Sequence, residues 1–357
     1  MRIALDGTPL SVSSGGVRRY TEELSRALAG EFPEDEYHLI SDQPFRFDGE
    51  QPRNLHVHNK RPPTALDRRW WLFGANREMS RLRSDIFHGT DFSVPYLVQR
   101  PSVMTLHDLS PWMEEGWHHG ADRVRQRTPL LLRMRRATMM ITPTEAVRRQ
   151  AISRFKIEPD RIVAVPEAAC DWLHPAPVSD PVNEPYFIYV GTLEPRKNIP
   201  MLIDAWRQVR RRHSVSLVLA GRRRQDFPAL AEEPGLRFLG EFEDAELPAL
   251  YSGAIAAVYP SLYEGFGLPI LEAMSCGAAV VTSRDPAIME VSDGAAIHVD
   301  AADGQAWAGA LESLLLEPQE LNRRREQSLK RAADFSWQRA AWLTREVYVE
   351  AIRRFGR

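Results

Sequence analysis

Cysteine is nearly absent from this sequence, because only Cys170 and Cys276 occur in 357 residues. Two cysteines are too few for a disulfide framework, and their separation is unlike the close cysteine pairs of a zinc site. A chain that depends on neither device is typical of a reducing compartment. We therefore expect a cytoplasmic protein.

Long apolar runs and an excess of one charge are also missing. No stretch of eighteen apolar residues occurs, and the first residues lack the basic and apolar segments of a signal peptide. We expect a protein that is at most peripheral on the inner face of a membrane. The 46 basic and 48 acidic residues give a formal charge of −2, so nucleic acid is not an expected partner. A charged ligand would therefore have to bind a local cluster of side chains of the opposite charge.

The sequence does contain a repeated alternation of short apolar runs and helical periodicity, which predicts an α/β fold with parallel sheets. Helices are predicted over 15–30, 145–155, 198–211 and 245–252. The first set of strands is predicted at RIALDG (2–7), YHLIS, LHVHN, DIFHGTD, SVMTLHD, TMMITPT and RIVAVPE. A second set follows at YFIYVGT (186–192), VSLVLAG (215–221), LRFLGE (236–241), IAAVYPS (255–261) and GAAVVTS (277–283).

A cluster of prolines in DWLHPAPVSDPVNEPY (171–186) separates the two sets and is typical of an inter-domain linker. The length also favours two domains with a cleft available between them. We predict an N-terminal domain over 1–175 and a C-terminal domain over 176–357. The tail DFSWQRAAWLTREVYVEAIRRF (334–355) predicts a C-terminal helix that could pack on either domain.

The segment YPSLYEGFGLPILEAMSCGAAVV (259–281) places Glu264 and Glu272 around a Gly-Phe-Gly turn. A helix that opens at Leu268 or Pro269 has proline in its first turn, where a missing N–H costs nothing. Glu264 then lies in the preceding loop and Glu272 about one turn inside the helix. The glycines let backbone N–H groups approach a phosphate or a sugar hydroxyl. Taken alone, the pattern fits a plain tight turn with two solvated acids equally well.

Other predicted strand ends carry polar residues as well. Arg196 and Lys197 follow a strand in YVGTLEPRKN (189–198), where ligands of open α/β sheets bind and adjacent cations suit a diphosphate. Gly15 and Gly16 join the first strand to the first helix without a full dinucleotide fingerprint, which favours a mononucleotide phosphate. His107 ends another strand in TLHDLSP (105–111), where a structural and a functional role are about equally frequent.

Taken in order, SSGGVRRY, TLHDLSP, VGTLEPRKN and SLYEGFGLPILEAMSCGAAVV resemble the retaining glycosyltransferases of family 4 over nearly the whole chain. The resemblance implies the GT-B fold, in which two Rossmann-like domains face each other across a central cleft. It also implies that Glu264 and His107 contact the donor sugar, that Glu272 binds the ribose hydroxyls and that Lys197 binds the diphosphate. The remaining donor-binding positions that it implies are Gly15, Gly16, Thr192, Arg196, Gly265, Phe266, Gly267 and Leu268.

One position departs from the family pattern. Many members carry arginine directly after the glycine of the VGTLEPRKN strand end, where this chain has Thr192, and the resemblance implies that Arg196 supplies the missing charge. The HDL and LEPRKN motifs look most like those of mannosyltransferases, which implies GDP-mannose as donor. Glucosyl, rhamnosyl and N-acetylhexosaminyl donors are used by near relatives.

The implied reaction transfers a hexosyl group to an acceptor hydroxyl with retention of configuration, and His107, Glu264, Arg196 and Lys197 are its expected catalytic residues. Such a reaction needs positioning and charge stabilisation rather than a nucleophile. The sequence has no Asp-x-Asp triplet to hold a metal ion between phosphates, so we expect neither a metal nor a cofactor. The alternatives are a sugar-nucleotide epimerase, a dinucleotide oxidoreductase and a non-catalytic nucleotide-sugar binding protein.

The acceptor is less constrained, and a glycan or a lipid-linked glycan is expected. The segment RVRQRTPLLLRMRR (123–136) contains six arginines and no acid, and RRWWLFG (68–74) adds two tryptophans. Together they could contact anionic lipid or a lipid diphosphate. The same residues are more often solvated arginines and packed tryptophans, because arginine stems cover apolar surface readily.

Overall fold

A computed structural model describes residues 1–12, 15–62, 64–118, 120–177, 183–228 and 232–356. The strands are β1 (Arg2–Asp6), β2 (Glu36–Ile40), β3 (Leu55–His58), β4 (Ile86–Gly89), β5 (Ser102–Thr105), β6 (Met139–Thr142), β7 (Ile162–Ala164), β8 (Tyr186–Val190), β9 (Ser216–Ala220), β10 (Leu236–Gly240), β11 (Ala256–Tyr259), β12 (Ala279–Ser283) and β13 (Ile297–Val299). The α-helices are α1 (Gly16–Glu31), α2 (Ala75–Leu82), α3 (Asp122–Arg133), α4 (Glu145–Phe155), α5 (Ile199–Arg210), α6 (Leu247–Gly253), α7 (Leu268–Ser275), α8 (Pro286–Ser292), α9 (Gly304–Leu316), α10 (Pro318–Ala332) and α11 (Trp337–Arg354).

The strands form two parallel sheets, which confirms the predicted α/β class. In the described part of the chain the first sheet has the order β3-β2-β1-β4-β5-β6-β7 and the second the order β10-β9-β8-β11-β12-β13. Most strands are buried along their full length, as in β8 and β9. Parallel strands that are covered on both faces read as continuous apolar runs, which is why the sequence revealed them.

The chain divides into two compact units, residues 1–167 with 336–357 and residues 168–335. The predicted boundary between 175 and 176 differs from this division, because Cys170 and Leu173 already pack into the hydrophobic core of the second unit. Part of the proline-rich linker, residues 178–182, lies outside the described residues.

The C-terminal helix α11 belongs to the first unit, which is one of the two positions that the sequence left open for it. It packs against α1 and against the strands β5 and β6. The buried hydroxyl of Tyr348 lies 2.7 Å from Nδ1 of His88, and Nε of Arg345 donates to Asp35 at 2.8 Å. These contacts specify which unit the amphipathic helix covers.

As far as the chain is described, each sheet has one topological switch point. In the second unit the chain moves outward from β8 through β9 to β10 and then returns to place β11 on the other side of β8. In the first unit it moves from β1 through β2 to β3 and returns to place β4 beside β1. The loops after neighbouring strands diverge at such a point, so a crevice opens at the carboxyl ends of the strands.

Candidate active site

The loops after β8 and β11 flank the switch point of the second sheet, and both contain predicted site residues. Asn198 adopts a left-handed conformation with φ of 54° at the start of α5, and its side chain donates to Ala301 O at 2.8 Å. The two loops are joined directly, because Leu262 N–H donates to Arg196 O at 2.9 Å. The topology therefore brings Arg196, Lys197 and Glu264 together from positions that are far apart in sequence.

Glu264 is held by both predicted cations. Its Oε1 lies 2.5 Å from Lys197 Nζ, and its Oε2 accepts from Arg196 Nη1 at 2.8 Å. Burial by itself would raise the pKa of Glu264, but the charges of Lys197 and Arg196 and the hydrogen bond from Lys197 lower it to about 2. Glu264 is therefore a carboxylate at neutral pH and cannot donate a proton there.

Arg196 has a more enclosed environment than the sequence indicated. Its guanidinium also donates from Nη1 to Tyr263 O at 2.7 Å and from Nη2 to Glu194 at 2.8 Å, and the residue is 9 % exposed. These are the contacts of a side chain that fixes Glu264 and its loop. The role of Arg196 on a diphosphate remains a prediction, and a phosphate would have to compete with two carboxylates for it.

The sequence interpretation missed Glu194, Arg224 and Asp226. Glu194 Oε2 lies 3.3 Å from Arg224 Nη1, and Arg224 Nε lies 2.5 Å from Asp226. The arginines at 222–224 directly follow the strand VSLVLAG. The rule that drew attention to Arg196 and Lys197, polar residues at the carboxyl end of a parallel strand, applies to them equally.

The Gly-Phe-Gly turn leads into α7, which begins at Leu268 as predicted. Gly267 has φ of 88° and a left-handed conformation that favours glycine. Phe266 is buried in a small cluster with Leu268, Leu271 and Val291, so it anchors the loop below Gly265. The turn therefore connects β11 to the helix through a glycine conformation and a buried aromatic side chain.

Glu272 lies about one turn inside α7 and is 3 % exposed. Its surroundings include Cys276, whose pKa is raised to about 12, first by burial and then by the charge of Glu272. Cys276 is therefore a buried thiol and not a nucleophile. The predicted contact of Glu272 with ribose hydroxyls stays a prediction.

In the first unit, Gly15 and Gly16 connect the region after β1 to α1. Gly15 precedes the helix with φ of 131° and ψ of 161°, a conformation that L side chains avoid, and Gly16 is the first helical residue. Both are exposed. Ser13 and Ser14 of the same motif lie outside the described residues.

His107 follows β5, and both of its ring nitrogens are engaged. Nε2 lies 2.7 Å from Thr90 O, and Nδ1 lies 3.5 Å from Glu167. Burial would lower the pKa of His107, but the hydrogen bond and charge of Glu167, the charge of Asp91 and the Thr90 carbonyl raise it overall. A sugar hydroxyl that reached either nitrogen would have to replace one of these acceptors.

Asp6, at the end of β1, is a buried carboxyl that the sequence interpretation did not single out. Burial raises its pKa to about 7, although hydrogen bonds from Thr8 oppose the shift. Burial likewise raises the pKa of Asp91. Asp6 ends β1, and Asp91 and Glu167 follow β4 and β7, so their positions at one sheet edge could have been predicted.

The arginine-rich and tryptophan-rich segments contribute to packing in the first unit. Trp70 is 6 % exposed, and the guanidinium of Arg127 lies 5.2 Å from the ring centroid of Trp71. Arg125 donates to Pro111 O at 2.6 Å. Arg123 and Arg133 of α3 are exposed, as is Leu130. Among the described residues, no helix is long and apolar enough to cross a membrane.

Family models match both units of the chain. The model described as Glycosyltransferase Family 4 matches residues 14–168, and the model described as Glycosyl transferases group 1 matches residues 172–331. The O-antigen chain mannosyltransferase B of Escherichia coli is 31% identical over 382 residues, which cover 98% of this chain and 99% of that protein.

Solved structures match the whole fold. The sucrose-phosphate synthase from Thermosynechococcus elongatus has a TM-score of 0.75 at 20% identity, with 98% of each chain covered. HepE from Anabaena, in complex with UDP and glucose, has a TM-score of 0.73 at 19% identity, with 98% of this chain and 100% of that chain covered. These likenesses confirm the GT-B fold class with its two Rossmann-like domains.

Proposed function

Because the chain is a glycosyltransferase that belongs to family 4, we propose that it transfers a hexosyl group from a nucleoside-diphosphate sugar to an acceptor hydroxyl with retention of configuration. Mannose is the proposed sugar, since the relative from Escherichia coli is named a mannosyltransferase. GDP-mannose is therefore the proposed donor. UDP-glucose is its main competitor, because the Anabaena neighbour is described in complex with UDP and glucose.

The observation that supports this reaction best is the ionised Glu264 between Lys197 and Arg196 at a sheet switch point. In the proposed step the bond from the anomeric carbon to the diphosphate oxygen breaks, and the acceptor oxygen bonds to that carbon on the same face. The acceptor proton passes to the leaving phosphate oxygen. The protein then needs to position the sugar and stabilise charge on the diphosphate, and no nucleophilic side chain takes part.

The proposed roles of the residues follow from their environments. Lys197 binds the diphosphate and stabilises the charge that develops as the sugar leaves. Glu264 accepts hydrogen bonds from donor-sugar hydroxyls, because a carboxyl group with a pKa of about 2 is unsuited to proton donation at neutral pH. Glu272 accepts from the ribose hydroxyls. Together the two acids bind opposite ends of the donor and do not form an acid and base pair.

We propose that the reaction needs no divalent ion, since Lys197 and backbone N–H groups would supply the positive charge. Among the residues that the structure describes, no group of three or more His, Cys, Asp or Glu side chains is placed to hold a metal. Activity is expected to survive dialysis against EDTA. A loss on chelation that Mg²⁺ or Mn²⁺ restored would show that a metal supplies this charge.

The proposed acceptor is a growing glycan or a lipid-linked glycan in polysaccharide or glycoconjugate biosynthesis, following the name of the Escherichia coli relative. A cytoplasmic location with peripheral membrane contact fits such an acceptor. The exposed Arg123, Leu130 and Arg133 of α3 would provide the cationic and apolar contacts with an anionic lipid surface.

Calorimetry with a panel of nucleotide sugars, followed by NMR of the products, tests the proposed function. GDP-mannose should bind more tightly than UDP-glucose, UDP-N-acetylglucosamine and dTDP-rhamnose, and the transferred sugar should keep its anomeric configuration. Tighter binding of another sugar would reassign the donor. Binding of no nucleotide sugar, or epimerisation of the donor without an acceptor, would contradict the proposal.

A further inference from the structure

The charged cluster of the second unit is already balanced before any donor binds. Three cations, Arg196, Lys197 and Arg224, meet three carboxylates, Glu194, Asp226 and Glu264, in a connected network. A nucleoside diphosphate brings at least two further negative charges to this edge of the sheet, and Thr192 brings none of the opposite sign. Lys197, which is already paired with Glu264, cannot offset this charge alone, so the proposed donor requires a further cation from outside the network in addition to Lys197.

The segments that follow β8 and β9 continue to pair after the two strands end. Leu193 and Arg223 form a parallel bridge, in which Leu193 N–H donates to Arg222 O at 2.8 Å and Arg224 N–H donates to Leu193 O at 3.1 Å. Paired residues of parallel strands project to the same face, and successive residues alternate between faces. Thr192 is thus beside Arg222, on the face opposite to that of Leu193 and Arg223.

The ion pair between Glu194 and Arg224 supports this assignment of faces independently. In the same register Glu194 lies opposite Arg224, and their side chains meet at 3.3 Å. Alternation puts Thr192 and Arg222 on the face of that pair, and the pair is connected through Arg196 to Glu264. Arg222 accordingly projects on the same face as the charged cluster.

The backbone at this place is fixed, whereas the side chain of Arg222 is accessible. Gly221 has φ of 129°, and a Cβ added to it would lie 2.3 Å from Gly191 O, so the two loops are in close contact. Arg222 and Arg223 are exposed. Within the described part of the chain, neither side chain makes an ion pair, in contrast to Arg224.

We propose that Arg222 binds the diphosphate of the donor. It lies beside Thr192, where the charged cluster has no cation that is free of a carboxylate. This inference rests on the proposed use of a nucleoside-diphosphate donor. A guanidinium group is well suited to the task, because its planar donors bind phosphate oxygens in pairs. Arg223 has the same exposure and charge but projects to the other face, so it is not part of the site.

The test compares the affinities of GDP, UDP and the corresponding monophosphates for the wild type, Arg222→Ala and Arg223→Ala by calorimetry. Arg222→Ala should weaken diphosphate binding at least about tenfold, the effect of one charge-assisted hydrogen bond, and weaken monophosphate binding less. Arg223→Ala should bind as the wild type does. Adding Thr192→Arg to Arg222→Ala should recover part of the diphosphate affinity.

The possible failures are distinguishable. If the wild type binds neither GDP nor UDP, the proposed donor is wrong, and the inference about Arg222 is overturned together with it. If the wild type binds and Arg222→Ala binds equally well, the inference alone is overturned. It is also overturned if Arg223→Ala loses as much diphosphate affinity as Arg222→Ala, because the loss would then come from general surface charge. The same holds if Thr192→Arg recovers none of the diphosphate affinity that Arg222→Ala loses.

Discussion

Glu264 and Glu272 are eight positions apart in sequence, yet their environments differ in kind. Glu264 is bonded to two cations in a loop, while Glu272 is buried within a helix. The proposed contacts differ accordingly, because the donor consists of a sugar that reacts and a nucleotide that is recognised. Substitutions at the two positions should therefore affect different kinetic quantities.

Glu272→Ala is expected to weaken binding of the free nucleoside diphosphate by about 1.5–3 kcal/mol, because charged hydrogen bonds to ribose are lost. Glu264→Gln should leave that affinity nearly unchanged and lower turnover with the complete donor. Calorimetry with the free nucleotide and steady-state kinetics with the donor measure the two effects. If Glu264→Gln abolished nucleotide binding and Glu272→Ala did not, the two roles would be reversed.

The sequence predicted some members of the charged cluster and missed others for a physical reason. Glu264 and Lys197 belong to contiguous motifs in which glycine, proline and charge occur together, so the local pattern identifies them. Glu194 and Arg224 also follow predicted strands, but their contact with each other depends on the pairing of two separate loops and cannot be read from either motif. The enclosure of Arg196 between two carboxylates is likewise a property of the folded chain.

At the scale of elements, the edge of the second sheet depends on the close contact of Gly191 and Gly221. Gly221→Ala would introduce a Cβ 2.3 Å from Gly191 O, whereas a Cβ at Gly240, which also has positive φ, would meet nothing within 4 Å. Gly240→Ala should cost about 1–2 kcal/mol from backbone strain alone. Gly221→Ala should cost roughly 1–3 kcal/mol more because of the added steric clash.

Thermal unfolding of the two variants measures this difference, and diphosphate affinity provides a second readout. Gly221→Ala should lose both stability and affinity, since the clash moves the loops that carry Lys197 and Arg222. Gly240→Ala should lose only stability. Equal unfolding midpoints for the two variants would show that the contact of Gly191 with Gly221 does not constrain this edge of the second sheet.

The sequence predicted the strands best, and most of these are buried, although β10 is largely exposed. The strands β1 to β12 lie in the predicted apolar runs, and α4 spans Glu145–Phe155 as predicted. The helices α2, α3, α8, α9 and α10 and the strand β13 were not predicted. In α10 the apolar positions are few, and Ser328 is its fully buried residue. A helix without a clear apolar stripe leaves little periodicity to detect.

At the scale of the whole molecule, the chain returns to its first unit after completing the second. The sequence of α11 shows an amphipathic helix but not its partner, because an apolar stripe suits either core equally. The contact of Tyr348 with His88 and that of Arg345 with Asp35 specify that α11 packs on the first unit. Domain limits drawn from linker composition cannot reveal such a return.

The contribution of Asp6 to the stability of the first unit should fall as the pH rises, because its buried carboxyl prefers to be protonated. His88, whose pKa burial lowers to about 3, acts in the opposite direction below about pH 6.5. The pKa of Asp6 is about 7 when folded and 3.8 by reference, so the folded state holds more protons between these values. Its stabilising contribution is complete below about pH 4 and is lost as the pH passes about 7. His107, whose pKa is also raised, acts in the same direction.

Asp6→Asn should therefore shift the difference between the unfolding midpoints at pH 8 and pH 5 in favour of pH 8, relative to the wild type. The amide oxygen can still accept from Thr8 N–H, which donates to Asp6 at 3.0 Å. Thermal scans of the wild type and of Asp6→Asn at the two pH values provide the comparison. The contribution of His107 cancels in it, because both proteins contain this residue. Identical pH profiles would mean that Asp6 does not hold its proton in the folded state.

The donor diphosphate is proposed to bind Lys197, and the turnover of Lys197→Ala with saturating donor tests this most directly. A cation that follows charge developing on the leaving group affects turnover as well as the Michaelis constant. Turnover should fall about a hundredfold, or about 2.7 kcal/mol, as on removal of one oxyanion donor. The exposed Lys330→Ala of α10 should behave as the wild type. Full turnover in Lys197→Ala would contradict the proposed donor site.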